Sequence, residues 1–377
     1  MLDQVKAAFI RNHWFERPGA YVLVDGQYGS TGKGAIAALI GATLGDRIDV
    51  VTTNAGPNSG HTGYLPRGWR DMRLKEGEPT QDVLWAANLD KIVTRQIPVA
   101  SVVIHALKSN PELLTYLNAG TILDPAVLFD ELGLFGVMPL IHPLAAVISP
   151  DDVASEKSGS IARVASTGKG VGAVLARKVR REQGVVAQAN TYAETNVGKH
   201  DWNWGPGGER VFVETAQGFS LGLNEARFYP FVTSRECTVM QAISDARIPA
   251  QMVQKVIMTV RTHPIRVGNT DKGQSGGCYP DQQETTWQAI GQQPELTTVT
   301  QRVRRVFTWS RIQFREAVAA NRPDVVVLTF MDYLKGAGLH EGRFIDDVIH
   351  DYDRVMGRAP DFILTSWGPR PEDVRVV

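Results

Sequence analysis

Nine residues from Gly26 to Gly34, G-Q-Y-G-S-T-G-K-G, set glycines, two aliphatic hydroxyls and one lysine between two apolar runs. Glycines let successive backbone N–H groups close on an oxyanion at a helix N-terminus, and Lys33 adds a cation. The chemistry this suits is phosphate binding. The spacing is not that of Walker A, because Gly26 lies one residue too early and Lys33 is followed by Gly34 rather than a Mg²⁺-binding hydroxyl. A generic P-loop NTPase is therefore disfavoured. A second constellation, Asn54 to Thr62 (N-A-G-P-N-S-G-H-T), packs small residues around the imidazole of His61, as a loop offering donors to a polar ligand would.

These loops need rigid elements beneath them. AYVLVDG (Ala20 to Gly26) reads as a short, wholly buried strand leading into the phosphate loop, and GAIAALIGATLG as the apolar helix that follows. The segment IDVVTT precedes the His61 loop in the same way. Further apolar runs, SVVIHAL, RVFVETA, QKVIMTV and DVVVLTF, are expected as parallel strands with crossover helices. The fold class expected is thus α/β, a large, mostly parallel central sheet with helices on both faces and a P-loop-like phosphate loop. The Gly-rich piece from Arg266 to Gln283 cannot hold regular structure throughout and falls where α/β proteins place ligand loops, although a surface excursion would read the same.

Composition narrows the partners. The 377 residues are 43% hydrophobic, enough for a substantial core. Forty Lys plus Arg balance forty Asp plus Glu, so no bulk field draws the chain to nucleic acid or to a membrane. No stretch approaches twenty apolar residues, and Arg11 breaks the N-terminal apolar run, so a cytoplasmic address is expected. Cys237 and Cys278 are too few for a disulfide framework or a four-ligand zinc site.

Taken together, the two loops resemble those of the adenylosuccinate synthetase family, which read G-Q-W-G-D-E-G-K-G and G-H-N-A-G-H-T. The resemblance continues through Asn118 to Pro125, Ser166-Thr-Gly-Lys-Gly-Val-Gly172, Glu214-Thr-Ala-Gln-Gly218, Tyr229-Pro-Phe-Val-Thr-Ser234, Thr298-Val-Thr-Gln-Arg-Val-Arg-Arg305 and Ser366-Trp-Gly-Pro369. It implies a single family-like domain over residues 1–377, of which 1–19 are an N-terminal extension and 20–377 match the family. It also implies a two-step ligase: a donor's γ-phosphoryl group goes to O6 of a 6-oxopurine nucleotide, and the amine of L-aspartate then displaces phosphate at C6.

Matched residue by residue, the resemblance assigns the donor phosphates to Gly29, Thr31, Gly32, Lys33, Gly34, Gly60, His61 and Thr62, with Mg²⁺ at the Gly60 carbonyl and at Ser30. His61 and Lys33, with Ser30, form the implied catalytic set, stabilising charge that grows during phosphoryl transfer. Ser30, Asn58, Ser166, Thr167, Gln217 and Thr233 would hold the substrate nucleotide, and Thr298, Val299, Thr300, Arg302 and Arg304 the aspartate. Phe330, Asp332, Ser366, Gly368 and Pro369 would hold the donor base. Arg181, in the basic cluster with Arg177, Lys178 and Arg180, matches the arginine that reaches the neighbouring subunit's nucleotide, which implies a homodimer.

The sequence departs from the family at the catalytic aspartate, which is Ser30 here. A serine hydroxyl near neutral pH cannot replace a carboxylate that takes the N1 proton and binds Mg²⁺. The departure resembles the phage-associated branch that acts on dGMP, giving N6-succino-2-amino-2′-deoxyadenylate for 2,6-diaminopurine DNA in the host cytoplasm. That branch favours ATP or dATP as donor, while Asp332 keeps GTP as the alternative. An ordinary synthetase acting on IMP with GTP is the rival reading. A non-catalytic nucleotide-binding relative is the third, and survival of His61 and of the Arg302 to Arg305 loop weighs against it.

Overall fold

The computed structural model describes residues 2–71, 89–158, 166–189, 208–271, 273–297 and 301–377. Its centre is a nine-stranded sheet built from β1 (Gly19–Asp25), β2 (Val50–Thr53), β3 (Leu114–Leu117), β4 (Leu140–Ile141), β5 (Arg210–Glu214), β6 (Val253–Arg261), β7 (Val325–Thr329), β8 (Phe362–Ser366) and β9 (Val374–Val376). The spatial order is β9-β8-β7-β6-β1-β5-β2-β3-β4. Every pairing is parallel except β8 with β9 at one edge.

Parallel strands need cover on both faces, which is why the sequence writes them as unbroken apolar runs. In β1, Tyr21 and Leu23 enter one core beside the helices Leu2–Arg11, Lys33–Leu44 and Val99–Ala106, while Ala20, Val22 and Val24 enter the other beside Val239–Asp245, Arg311–Asn321 and Glu341–Met356. The amphipathic start of the chain is therefore part of the main core: Val5 and Phe9 are fully buried.

One expected strand is a helix. SVVIHAL falls within the helix Val99–Ala106, and the sheet takes Leu114–Leu117 instead. A short apolar run buried all round carries no periodicity to separate the two states, and Pro98 at the N-cap favours the helix.

Because the strands are parallel, their C-terminal ends share one edge of the sheet, and the loops leaving β1, β2, β5, β6, β7 and β8 gather there. The helix Lys33–Leu44, buried everywhere but Ala35, runs directly from the first loop. Gly34 lets it abut the short strand His61–Pro66: a Cβ there would lie 2.4 Å from the Thr62 carbonyl. The phosphate loop and the His61 loop are thereby locked together. Among the described residues, no helix is long and apolar enough to cross a membrane.

Candidate active site

The loop after β1 is organised around Asp25, a 1% exposed carboxylate. Its Oδ1 accepts the N–H groups of Gln27 (2.7 Å) and Gly29 (3.2 Å), and its Oδ2 accepts the Thr31 hydroxyl (2.5 Å) and the Lys33 ammonium (3.1 Å). Four donors compensate a buried carboxylate that would otherwise be costly. Gly29 (φ 90°) and Gly32 (φ 80°) take the left-handed turns that this wrapping requires. Lys33 also donates to the Gln217 carbonyl at 2.7 Å, so its ammonium ties the first loop to the one after β5. Gly218 permits that contact, since a Cβ there would sit 2.3 Å from the Gly29 nitrogen.

Glu214, the last residue of β5, is fully buried behind His61. Its Oε1 lies 2.8 Å from His61 Nδ1 and its Oε2 accepts the Ala100 N–H at 3.2 Å. A carboxylate in this position fixes the imidazole's orientation and leaves Nε2 as the working nitrogen. Nε2 is itself buried and has no protein partner among the described residues, in a side chain that lines the main cavity.

That cavity brings together Gly29, Ser30, Asn58, Gly60 and His61 on one side with Ser166, Thr167, Gln217, Thr233 and Arg304 on the other. Ten of the sequence-derived positions therefore face one space. Gln217 reaches it from a left-handed backbone (φ 65°). Arg304 is half-buried, and burial depresses its guanidinium to about 10. A hydroxyl-rich lining, one imidazole and two arginines, Arg266 and Arg304, suit an anionic, hydrogen-bonding ligand such as a nucleotide.

Other sequence-derived positions lie elsewhere. Thr31, Gly32, Lys33, Gly34 and Thr62 form the loop and helix start behind the cavity wall and do not line it. Ser366, Gly368 and Pro369 line a smaller second cleft with Leu39 and Tyr64. Phe330 and Asp332 neighbour that segment, since Met331 N–H donates to the Ser366 carbonyl at 3.0 Å. Burial raises the Asp332 carboxyl above the ordinary range. Arg302 and Arg181 are exposed, Arg181 just past the helix Val171–Val179 with φ 62°. Thr298, Val299 and Thr300 lie outside the described residues.

Residues to which the sequence reading gave no role also line the cavity, notably Tyr28, Phe231, Arg266 and Ser275. Arg266 is 3% exposed, donates to the carbonyls of Ser275 and Phe231, and stacks 4.7 Å from the Tyr28 ring. Its signal was the R-V-G that opens the Gly-rich piece. Asp25 and Glu214 also had no role in the sequence reading; their one local signal is an acid at the end of an apolar run.

Comparison with known proteins decides the affiliation. The family model described as adenylosuccinate synthetase matches residues 202–339. The N6-succino-2-amino-2′-deoxyadenylate synthase of Vibrio phage phiVC8 is 36% identical over 347 residues, covering 88% of this chain and 90% of that protein. The chain belongs to the adenylosuccinate synthetase family. Within this family, the adenylosuccinate synthetase of Thermococcus onnurineus (strain NA1) is 27% identical over 359 residues, covering 91% of each chain. The solved structure of the cyanophage S-2L succinoaminodeoxyadenylate synthetase (PurZ), bound to dGMP and to dATP as an energy donor, superposes with a TM-score of 0.75 at 28% identity over 95% of both chains.

Proposed function

We propose that this protein is a C–N ligase that joins L-aspartate to C6 of dGMP through a 6-phosphoryl intermediate, with ATP or dATP as donor. The observation that carries the reading is the cavity in which Ser30 and His61 face Asn58, Thr167, Gln217 and Thr233, in a chain similar to phage synthases of that name. A single domain over residues 1–377, the N-terminal extension 1–19 included, belongs to the same reading.

In the first step O6 of the purine attacks the donor's γ-phosphorus, the bond to the β-phosphate oxygen breaks so that the nucleoside diphosphate leaves, and the N1 proton passes to water or to a phosphate oxygen. His61, oriented by Glu214, directs Nε2 at the transferring group and stabilises the charge that develops on its oxygens. Gly29 and Ser30 are the part of the phosphate loop that would meet the donor phosphates in the cavity, and Lys33 keeps that loop closed on Gln217. The Gly60 carbonyl and, as a neutral donor weaker than a carboxylate, the Ser30 hydroxyl line the same cavity and would hold Mg²⁺, which would neutralise charge on the donor phosphates. In the second step Arg302 and Arg304 hold the aspartate carboxylates while its amine attacks C6, the C6–O bond breaks, and phosphate leaves. Arg181, exposed past its helix end, supplies a guanidinium to the nucleotide of a partner subunit in a homodimer.

The competing reading is an ordinary synthetase using IMP and GTP, favoured by Asp332, whose half-buried carboxyl is suited to guanine N–H groups. Aspartate-dependent phosphate release with dGMP, GMP, dIMP and IMP, each with ATP, dATP and GTP, separates the two. Preference for IMP or dIMP over dGMP by about tenfold would establish the ordinary activity instead.

A further inference from the structure

Arg261 ends β6 with 1% exposure, and three segments of the site meet on its guanidinium. Nη1 donates to the Ser30 carbonyl at 3.1 Å. Nη2 and Nη1 donate to the two carboxylate oxygens of Glu295 at 2.6 and 3.3 Å. The Phe330 ring lies against the guanidinium, 3.8 Å from its centroid. The Arg261 backbone is pinned on both sides by the Gln27 side chain, at 3.0 and 3.1 Å.

Glu295 extends the connection. Its carboxylate accepts the Tyr333 hydroxyl at 2.9 Å, and its carbonyl accepts the Arg304 N–H at 2.8 Å. Next along the chain, the Thr297 hydroxyl accepts the Arg302 N–H at 2.9 Å, and Thr297 N–H donates to the Arg302 carbonyl at 2.8 Å. Both arginines are thus held at the backbone by the strip that Glu295 anchors. On the other flank Phe330 occupies a left-handed backbone (φ 57°), a conformation that persists where surrounding contacts over-determine it. Those contacts are the Arg261 stack and the Thr262 hydroxyl on the Phe330 carbonyl at 2.7 Å. A planar guanidinium can serve all three directions at once, whereas a lysine ammonium in the same place could not.

We propose that Arg261 and Glu295 are a positioning pair, through which the segment carrying Arg302 and Arg304 is ordered by the same guanidinium that fixes Ser30 and the donor-side Phe330. The pair deepens the proposed ligase reading and rests on it for the identity of the dicarboxylate and the donor. A donor base packed on Phe330 would tighten the existing stack on Arg261, and through Glu295 the hold on the two arginines.

Glu295→Gln keeps the side chain's length and its Tyr333 partner but removes the charge. With the full chain and saturating dGMP and dATP, the aspartate KM is expected to rise about tenfold while the dGMP KM stays within about threefold, a coupling of ordinary allosteric size. Glu295→Asp should recover part of the loss. A second measurement is independent of turnover: dATP should slow hydrogen exchange of the Arg302 and Arg304 amides about fivefold in wild type, and leave it unchanged in Glu295→Gln. Protection that survives in Glu295→Gln, an unchanged aspartate KM, or an equal rise in both KM values overturns the proposal. If wild type shows no aspartate-dependent phosphate release while the dATP protection is present and lost in Glu295→Gln, the ligase reading fails and the positioning pair stands.

Discussion

Glu214→Gln isolates the contribution of the carboxylate behind His61. The two side chains have the same shape, and the amide oxygen can still accept from Nδ1 at the 2.8 Å separation. What changes is the strength of that bond and the fate of the second oxygen. A hydrogen bond to a charged partner contributes about 1.5–3 kcal/mol against about 1 for a neutral one, so His61 loses roughly 0.5–2 kcal/mol of support for positive charge on its ring. That corresponds to about 2- to 30-fold in kcat. Meanwhile the amide NH2 replaces the oxygen that accepts the Ala100 N–H at 3.2 Å, setting donor against donor in a fully buried place. The protein should also lose about 1–3 kcal/mol of stability. Steady-state kinetics with dGMP, dATP and aspartate should show the fall in kcat with little change in the dGMP KM. His61→Ala should cost about 10²–10³ in kcat, and the double variant no more than His61→Ala alone, because Glu214 acts through His61. A kcat within twofold of wild type for Glu214→Gln, or losses that multiply in the double variant, would refute this mechanism.

Other expectations follow from the same geometry. Ser30 lines the cavity, so Ser30→Asp should crowd a guanine 2-amino group and shift preference from dGMP toward dIMP by about ten- to hundredfold, read by competition between the two nucleotides; an unchanged ratio removes Ser30 from substrate choice. Arg181→Ala and Lys33→Ala, each inactive or weak alone, should recover activity when subunits are mixed, since one site of each heterodimer is then intact; no recovery despite demonstrated subunit exchange confines Arg181 to its own chain. His263 is 3% exposed and its burial pushes it down to about 4, so it stays neutral in the fold while the unfolded chain takes up a proton below about 6.5. Stability should therefore fall as pH drops from about 6.5 to 4, by up to roughly 3 kcal/mol from this group, and denaturant titrations of His263→Asn should show a shallower slope in that window.

What could be read from the sequence tracked how local the determining physics was. β1, β5, β6 and β7 were legible because a strand covered on both faces must be an apolar run, and each ends at a polar loop, while β2 was marked only as the apolar segment before the His61 loop. β3 and β4 were not recognised, since LTYL and LI are too short to stand out, and the helix Val99–Ala106 displaced them because its β-branched residues look like a strand. The cavity was legible as paired loop motifs whose members the parallel sheet brings to one edge. Its supports were not: His61 and Glu214 are 153 residues apart, and Arg261 and Glu295 are 34 apart across a Gly-rich stretch without regular pattern. No periodicity links such positions, because the sheet order that joins them is itself a long-range property.

The loss of the family's aspartate at Ser30 takes on a different meaning beside Asp25. The family loop G-Q-W-G-D-E-G-K-G carries two adjacent carboxylates, and this chain has Ser30 and Thr31 in their places. A loop that presented only glycines, hydroxyls and Lys33 would leave its ammonium buried without a counter-charge, at 3% exposure. Asp25 supplies that charge from the strand end, holding Lys33 at 3.1 Å and the Thr31 hydroxyl at 2.5 Å. Its oxygens are all engaged within the loop, so it stabilises the phosphate cradle without projecting a carboxylate at the base of the nucleotide. Ser30 can then face the cavity with a small side chain while its carbonyl stays fixed by Arg261. On the proposed ligase reading, separating the counter-charge from position 30 would leave room for a purine bearing a 2-amino group, which a carboxylate at that position would crowd.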